Sequence, residues 1–106
     1  MKRFESRKLL DAARDQPCVF CQRDDTTVPA HLPGSFYRMA AGTGQKTHDW
    51  LVAHLCHEHH EKMDTVWRKD ARVRMMALCL TLERLFNDGV IEVSSNGRPN
   101  NGADLD

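Results

Sequence analysis

No apolar run in this chain is longer than Met75–Leu80, which excludes a membrane-spanning helix, because a span needs about 20 apolar residues. A net charge is missing too: 15 Lys and Arg balance 15 Asp and Glu, so no whole-molecule field draws in a highly charged partner. With only 6 Gly and 4 Pro, collagen-like and low-complexity architectures are excluded. The opening residues Met1–Lys8 lack the apolar stretch of a secretory signal, which makes the cytoplasm the expected location and a membrane an unexpected partner. What is present is 106 residues, 41% hydrophobic and 28% charged, the make-up of one globular domain. That domain is expected over residues 1–93. Residues 94–106 are rich in Ser, Asn, Gly, Pro and Asp, and a disordered tail is expected there.

The charges are unevenly placed. Residues 1–14 carry Lys2, Arg3, Arg7, Lys8 and Arg14 against Glu5 and Asp11, a local +3, and residues 65–86 carry a second +3. Phosphate binding would have to use such local faces, although a solvated helix surface explains them equally well. Helix-forming residues over Phe4–Arg14, ended by Pro17, predict a short N-terminal helix. Thr26–Leu32 reads as an extended segment with Val28, Ala30 and Leu32 on one face and His31 on the other. Residues 33–49 hold Pro33, Gly34, Gly42 and Gly44, which predict a long loop. Trp50–Leu55 reads as a second strand running through Cys56 into a polar helix start. A long helix is predicted from about Arg68 to Asn87, with Ala71, Met75, Leu78, Leu82 and Leu85 on its apolar face, Arg74 and Thr81 on its polar face, and Cys79 as a buried hydrophobe. The cap signal Asn87-Asp88-Gly89 ends it. The expected fold is α+β.

Cysteines are few but paired. Cys18-x-x-Cys21 and Cys56-x-x-His59 are two half-sites able to close on one tetrahedral ion, and soft thiolates with an imidazole favour Zn²⁺. A disulfide is disfavoured in the cytosol, and a redox C-x-x-C usually opens a helix after a strand. In so small a chain, such an ion would supply much of the folding free energy. His60 follows the presumed ligand His59, with Asp64 one helical turn on; the two could form part of a second, oxygen-rich metal site or a solvated pair.

The succession C-x-x-C, Ala30-His31-Leu32, a Gly-rich loop Gly42–Lys46, Asp49, and Cys56-His57-Glu58-His59-His60 resembles the zinc-containing HNH branch of the His-Me finger (ββα-metal) nucleases. It is most similar to the small phage and prophage nucleases of the YbcO type. The resemblance implies a zinc-stabilised ββα-metal core over about residues 18–64, flanked by an N-terminal helix and a long C-terminal helix. It implies that His31 is the general base and that His60 helps hold one Mg²⁺ or Mn²⁺, while Asp49 falls near the family's middle position, usually Asn, which orients the loop carrying the base. Three positions depart from the family pattern: Ala30 replaces the Asp that often precedes the base, Asp49 replaces the Asn, and His59 replaces a Cys. Asp64, a phosphate oxygen or water would then complete the cation's shell.

The expected activity is therefore metal-dependent hydrolysis of DNA phosphodiesters, duplex or branched, by an endonuclease encoded by a phage or prophage and working in the bacterial cytoplasm. Arg38, Lys46, Arg68, Lys69 and Arg72 are the candidate phosphate contacts. The alternative is a non-catalytic zinc-stabilised module on the same scaffold, binding nucleic acid or protein; Ala30 speaks for it. The helix around Met75, Met76 and Leu80 offers a surface for a homodimer, or simply core.

Overall fold

A computed structural model of the chain describes residues 3–32 and 47–94. Arg38, Lys46, most of the Gly-containing loop and the tail from residue 95 lie outside the described residues. Within them the chain runs α1 (Arg7–Asp11), β1 (Val28–His31), β2 (Val52–Leu55), α2 (His57–Asp64) and α3 (Ala71–Asn87). The class is α+β, with three helices and one antiparallel two-stranded sheet. No helix among the described residues is long and apolar enough to cross a membrane.

The first helix is shorter than its helix-forming composition suggests. Ser6 accepts a hydrogen bond from the Leu9 amide at 3.2 Å and so fixes the start, leaving Phe4 and Glu5 outside. After Asp11 the chain tightens into i→i+3 turns (Ala13 N to Leu10 O, Arg14 N to Asp11 O), and Asp15 at φ 64° turns it away. Phe4 belongs instead to a segment laced to residues 47–49: its amide donates to His48 Nδ1 at 2.7 Å, and its carbonyl accepts from the Asp49 amide at 2.9 Å.

The two strands pair with Val28 opposite Leu55, Pro29 opposite His54, Ala30 opposite Ala53 and His31 opposite Val52. Alternation gives the sheet two faces. Ala30 and Ala53, with Leu32 and Leu55, join Met63 of α2 and Ala77 and Leu78 of α3 in one buried cluster. The opposite face carries Pro29, His31, Val52 and His54. The His54 carbonyl accepts from Val19 N at 3.0 Å and its amide donates to Thr81 Oγ1 at 3.1 Å, so both point away from β1. That orientation is why Pro29, which has no N–H, fits opposite it. The outer edge of β2 is thereby closed by the Cys18–Cys21 turn on one side and by α3 on the other.

The third helix starts later than its periodicity suggests, at Ala71, because Asp70 accepts from the amides of Arg72 and Val73 at 3.1 and 3.3 Å. Its buried stripe is also rotated from the expected one: Arg74, Ala77, Leu78, Thr81 and Leu85 face inward, while Met75, Met76 and Leu80 are exposed and Cys79 lies at the surface rather than in the core. Two polar residues enter with hydrogen bonds to backbone carbonyls. Thr81 donates to Ala77 O at 2.9 Å, and Arg74 buries its stem while Nη1 donates to Trp67 O at 3.0 Å. The expected cap holds: Gly89 at φ +75° lets Gly89 N reach Phe86 O and Val90 N reach Leu85 O, a Schellman ending.

Candidate metal centre and histidine–aspartate site

Cys18 opens a tight turn in which its carbonyl accepts from Gln22 N at 2.9 Å and its amide donates to Arg23 O at 2.7 Å. Gln22, at φ 66°, reverses the chain just after Cys21. The same turn aims the Phe20 amide at Cys18 Sγ, 3.4 Å away. Burial pushes the Cys18 thiol up, but the amides of Cys56, Cys21 and Phe20 outweigh it, and the net pKa lies below an ordinary thiol's. For Cys56, burial and the neighbouring sulfurs win and raise it. Cys56 sits at the N-terminus of α2 with extended backbone, and its side chain makes no cap; the His57 amide donates instead to Thr26 Oγ1 at 3.0 Å. This frees the Cys56 sulfur for another partner.

The helix then brings His59 back over that sulfur. Nδ1 of His59 lies 3.2 Å from Cys56 Sγ and 3.5 Å from Cys18 Sγ, Cys21 Sγ lies 3.7 Å from Cys56 Sγ, and all four donor atoms fall within 4.8 Å of one another. A tetrahedral ion with metal–sulfur distances near 2.3 Å separates its ligand atoms by about 3.5–3.8 Å, so three thiols and an imidazole at this spacing can hold a zinc-sized ion. The His59 ring is wedged between aromatics, stacked on Trp67 at 5.8 Å and met edge-on by Phe20 at 5.6 Å.

A second group forms where the N-terminal segment crosses the end of β1. Nε2 of His31 and Oδ1 of Asp49 are 2.8 Å apart; Arg3 Nη2 donates to the same oxygen at 2.6 Å, and the Ser6 amide donates to Oδ2 at 2.8 Å. Asp49 is buried, which pushes its carboxyl up, but the His31 hydrogen bond, the Ser6 amide and the Arg3 charge prevail and leave its pKa below the usual carboxylate value. An ionised Asp49 can only accept, so Nε2 of His31 carries the proton and Nδ1 is the basic nitrogen of the neutral ring. The His31 side chain is 14% exposed. It opens on a cleft of about 420 Å³, walled by Arg7, Leu10, Asp11 and Arg14 on one side and by Thr27, Pro29 and His31 on the other.

The remaining candidates are spread out. His60 Nε2 and Asp64 Oδ2 are 3.6 Å apart on the exposed side of α2. The two form a pair, and among the described residues the four zinc-type donors are the only metal-binding group of three or more. Arg68 and Lys69 stand in the turn before α3 and Arg72 in its first turn; all are exposed, and none lines the His31 cleft. Arg3, Arg7 and Arg14 were not among the sequence candidates for the site. Their signal was the +3 of residues 1–14, which composition alone could not aim at His31.

Among the described residues, fold and site define a small α+β protein with a cluster of three cysteines and a histidine, and a half-buried histidine paired with a buried aspartate. Compared with known proteins, the chain matches no family model, and no curated protein and no solved structure matches it.

Proposed function

We propose that this protein is a zinc-stabilised, metal-dependent endonuclease of the HNH type, phage- or prophage-encoded, that hydrolyses DNA phosphodiester bonds with His31 as general base. The observation that carries the reading is the 2.8 Å contact between His31 and a buried, ionised Asp49 at the wall of an open cleft. Asp49 holds the imidazole in one tautomer and one orientation. Nδ1 takes a proton from water, the water oxygen bonds to phosphorus, and the bond to the departing oxygen breaks, that oxygen gaining a proton from solvent. His60 and Asp64 would hold Mg²⁺ or Mn²⁺, which would supply positive charge to stabilise the crowded phosphate. Cys18, Cys21, Cys56 and His59 would hold the structural Zn²⁺, fixing the start of α2 from which His60 projects.

The test is nicking of supercoiled plasmid by zinc-loaded protein, with Mg²⁺ or Mn²⁺ added or withheld, comparing the parent with His31→Ala after thermal melts show that both are folded. Cleavage by the parent alone, and only with the added cation, is expected. Equal cleavage by the two removes His31 as the base.

One observation favours a second reading, a binding module without catalysis. Ala30 is buried against Ala53, and among the described residues the His60–Asp64 pair belongs to no group of three or more metal donors. Metal stoichiometry separates the readings: a nuclease takes up an exchangeable Mn²⁺ besides its zinc, and a binding module takes up zinc alone.

A further inference from the structure

The cleft beside His31 has an uneven lining. Its polar wall on the α1 side is Arg7, Asp11 and Arg14, and Asp11 is its one acidic residue. Asp11 Oδ1 stands 3.7 Å from Arg7 Nη1 and 3.7 Å from Arg14 Nη2, and both arginine side chains are three-quarters or more exposed. At that length and exposure neither contact is a hydrogen bond, and each is readily exchanged for a better acceptor. A phosphate is that acceptor, because its oxygens match the guanidinium fork in pairs and replace one shared carboxylate with a separate partner for each arginine.

We infer that the cleft between α1 and β1 is the seat of the nucleic-acid backbone, with Arg7 and Arg14 binding phosphates beside His31 and Asp11 acting as an internal competitor that holds both arginines when no strand is bound. This rests on the proposed nuclease reading for its ligand, a DNA strand. It moves the phosphate contacts away from Arg68, Lys69 and Arg72 to the first fourteen residues. It also accounts for an acidic residue in a phosphate-binding wall: Asp11 keeps two long cationic side chains close to the place where they are needed.

The experiment is fluorescence anisotropy of labelled duplex and single-stranded DNA with the full, zinc-loaded chain and no added divalent cation, so that binding is read without cleavage. Arg7→Ala and Arg14→Ala should each weaken binding by roughly three- to tenfold and lower the slope of log affinity against log salt by about 1. Asp11→Asn should tighten binding severalfold, an effect that damage to the fold would not produce. Arg68→Ala and Lys69→Ala should leave affinity unchanged. Arginine variants that bind like the parent, or an Asp11→Asn protein that binds more weakly, overturn the inference. Competition by a mononucleotide as effective as that by the strand overturns the strand assignment. The two proposals fail separately: a parent that binds through Arg7 and Arg14 but never nicks plasmid loses the nuclease reading only, and a parent that nicks while its Arg7 and Arg14 variants bind normally loses only this one.

Discussion

His31 and Asp49 meet at 2.8 Å because residues 47–49 are laced to the N-terminal segment, and Asp49 is gripped there from three directions at once. Both carboxylate oxygens accept: Oδ1 from Arg3 and His31, Oδ2 from the Ser6 amide. Asn in this position has one oxygen, so whichever way its amide turns, an N–H faces another N–H. Asp49→Asn is therefore expected to cost about 1–3 kcal/mol in chemical denaturation, the usual cost of an unmet buried polar group. Its nicking rate should fall by more than its DNA affinity, since the base loses its orientation and the arginines of the cleft do not.

The same carboxylate gives stability a pH dependence of known sign. The folded-state pKa of Asp49 lies below the 3.8 of a free aspartate, so its contribution is complete above the unfolded value and disappears as pH falls through the folded one. Protonation of the zinc-type ligands also destabilises the protein in acid, but equally in parent and Asp49→Asn. The difference in unfolding free energy between the two should thus be constant near neutrality and shrink below about pH 4, where the parent loses its charge. Parallel curves down to pH 2 would show that Asp49 is not the ionised partner described.

Metal removal should be the largest single perturbation. Structural zinc is worth on the order of 10 kcal/mol in small domains, and here its four donors tie the Cys18 turn, the end of β2 and the start of α2 together. One tightly held Zn²⁺ per chain is expected by elemental analysis, with a large drop in melting temperature on chelation. Cobalt in its place should give thiolate-to-metal charge-transfer bands, weakened in Cys21→Ser. A protein indifferent to chelators would remove zinc from the fold.

The parts of this molecule that could be read in the sequence are those fixed by local spacing. Two x-x-separated ligand pairs met in space because a tight turn and a helix start each bring residues three apart onto one side, which is local geometry. The strand, cysteine, helix order around Cys56 and the Gly89 ending were legible for the same reason. The inward stripe of α3 was not: Arg74 and Thr81 look polar in any periodic reading, and their hydrogen bonds to the carbonyl of Trp67 and to the backbone of His54 come from the tertiary fold. His31 could be marked as chemically notable, but the hydrogen bond that Asp49 makes to it spans 18 residues, and Arg3 comes to Asp49 from 46 residues away. Contacts of that range carry no periodic signal. The +3 of residues 1–14 was visible as charge and silent about direction.

Thr81 offers the sharpest test of how the sheet that carries His31 is held. Its hydroxyl donates to Ala77 O and accepts from His54 N, the outward-facing amide of β2, which lies opposite Pro29. Thr81→Val keeps the shape and removes the acceptor, stranding a buried N–H at a cost of about 1–3 kcal/mol. Thr81→Ser keeps the hydroxyl and removes one methyl, which costs about 1 kcal/mol in a site that is fully buried. If the hydrogen bond to β2 anchors α3, valine is the more damaging replacement in urea denaturation, and amide exchange at His54 accelerates in that variant alone. If packing anchors it, serine is the worse of the two and His54 stays protected in both. The first result is expected, because the hydroxyl closes the open edge of a two-stranded sheet whose other strand carries the histidine at the cleft.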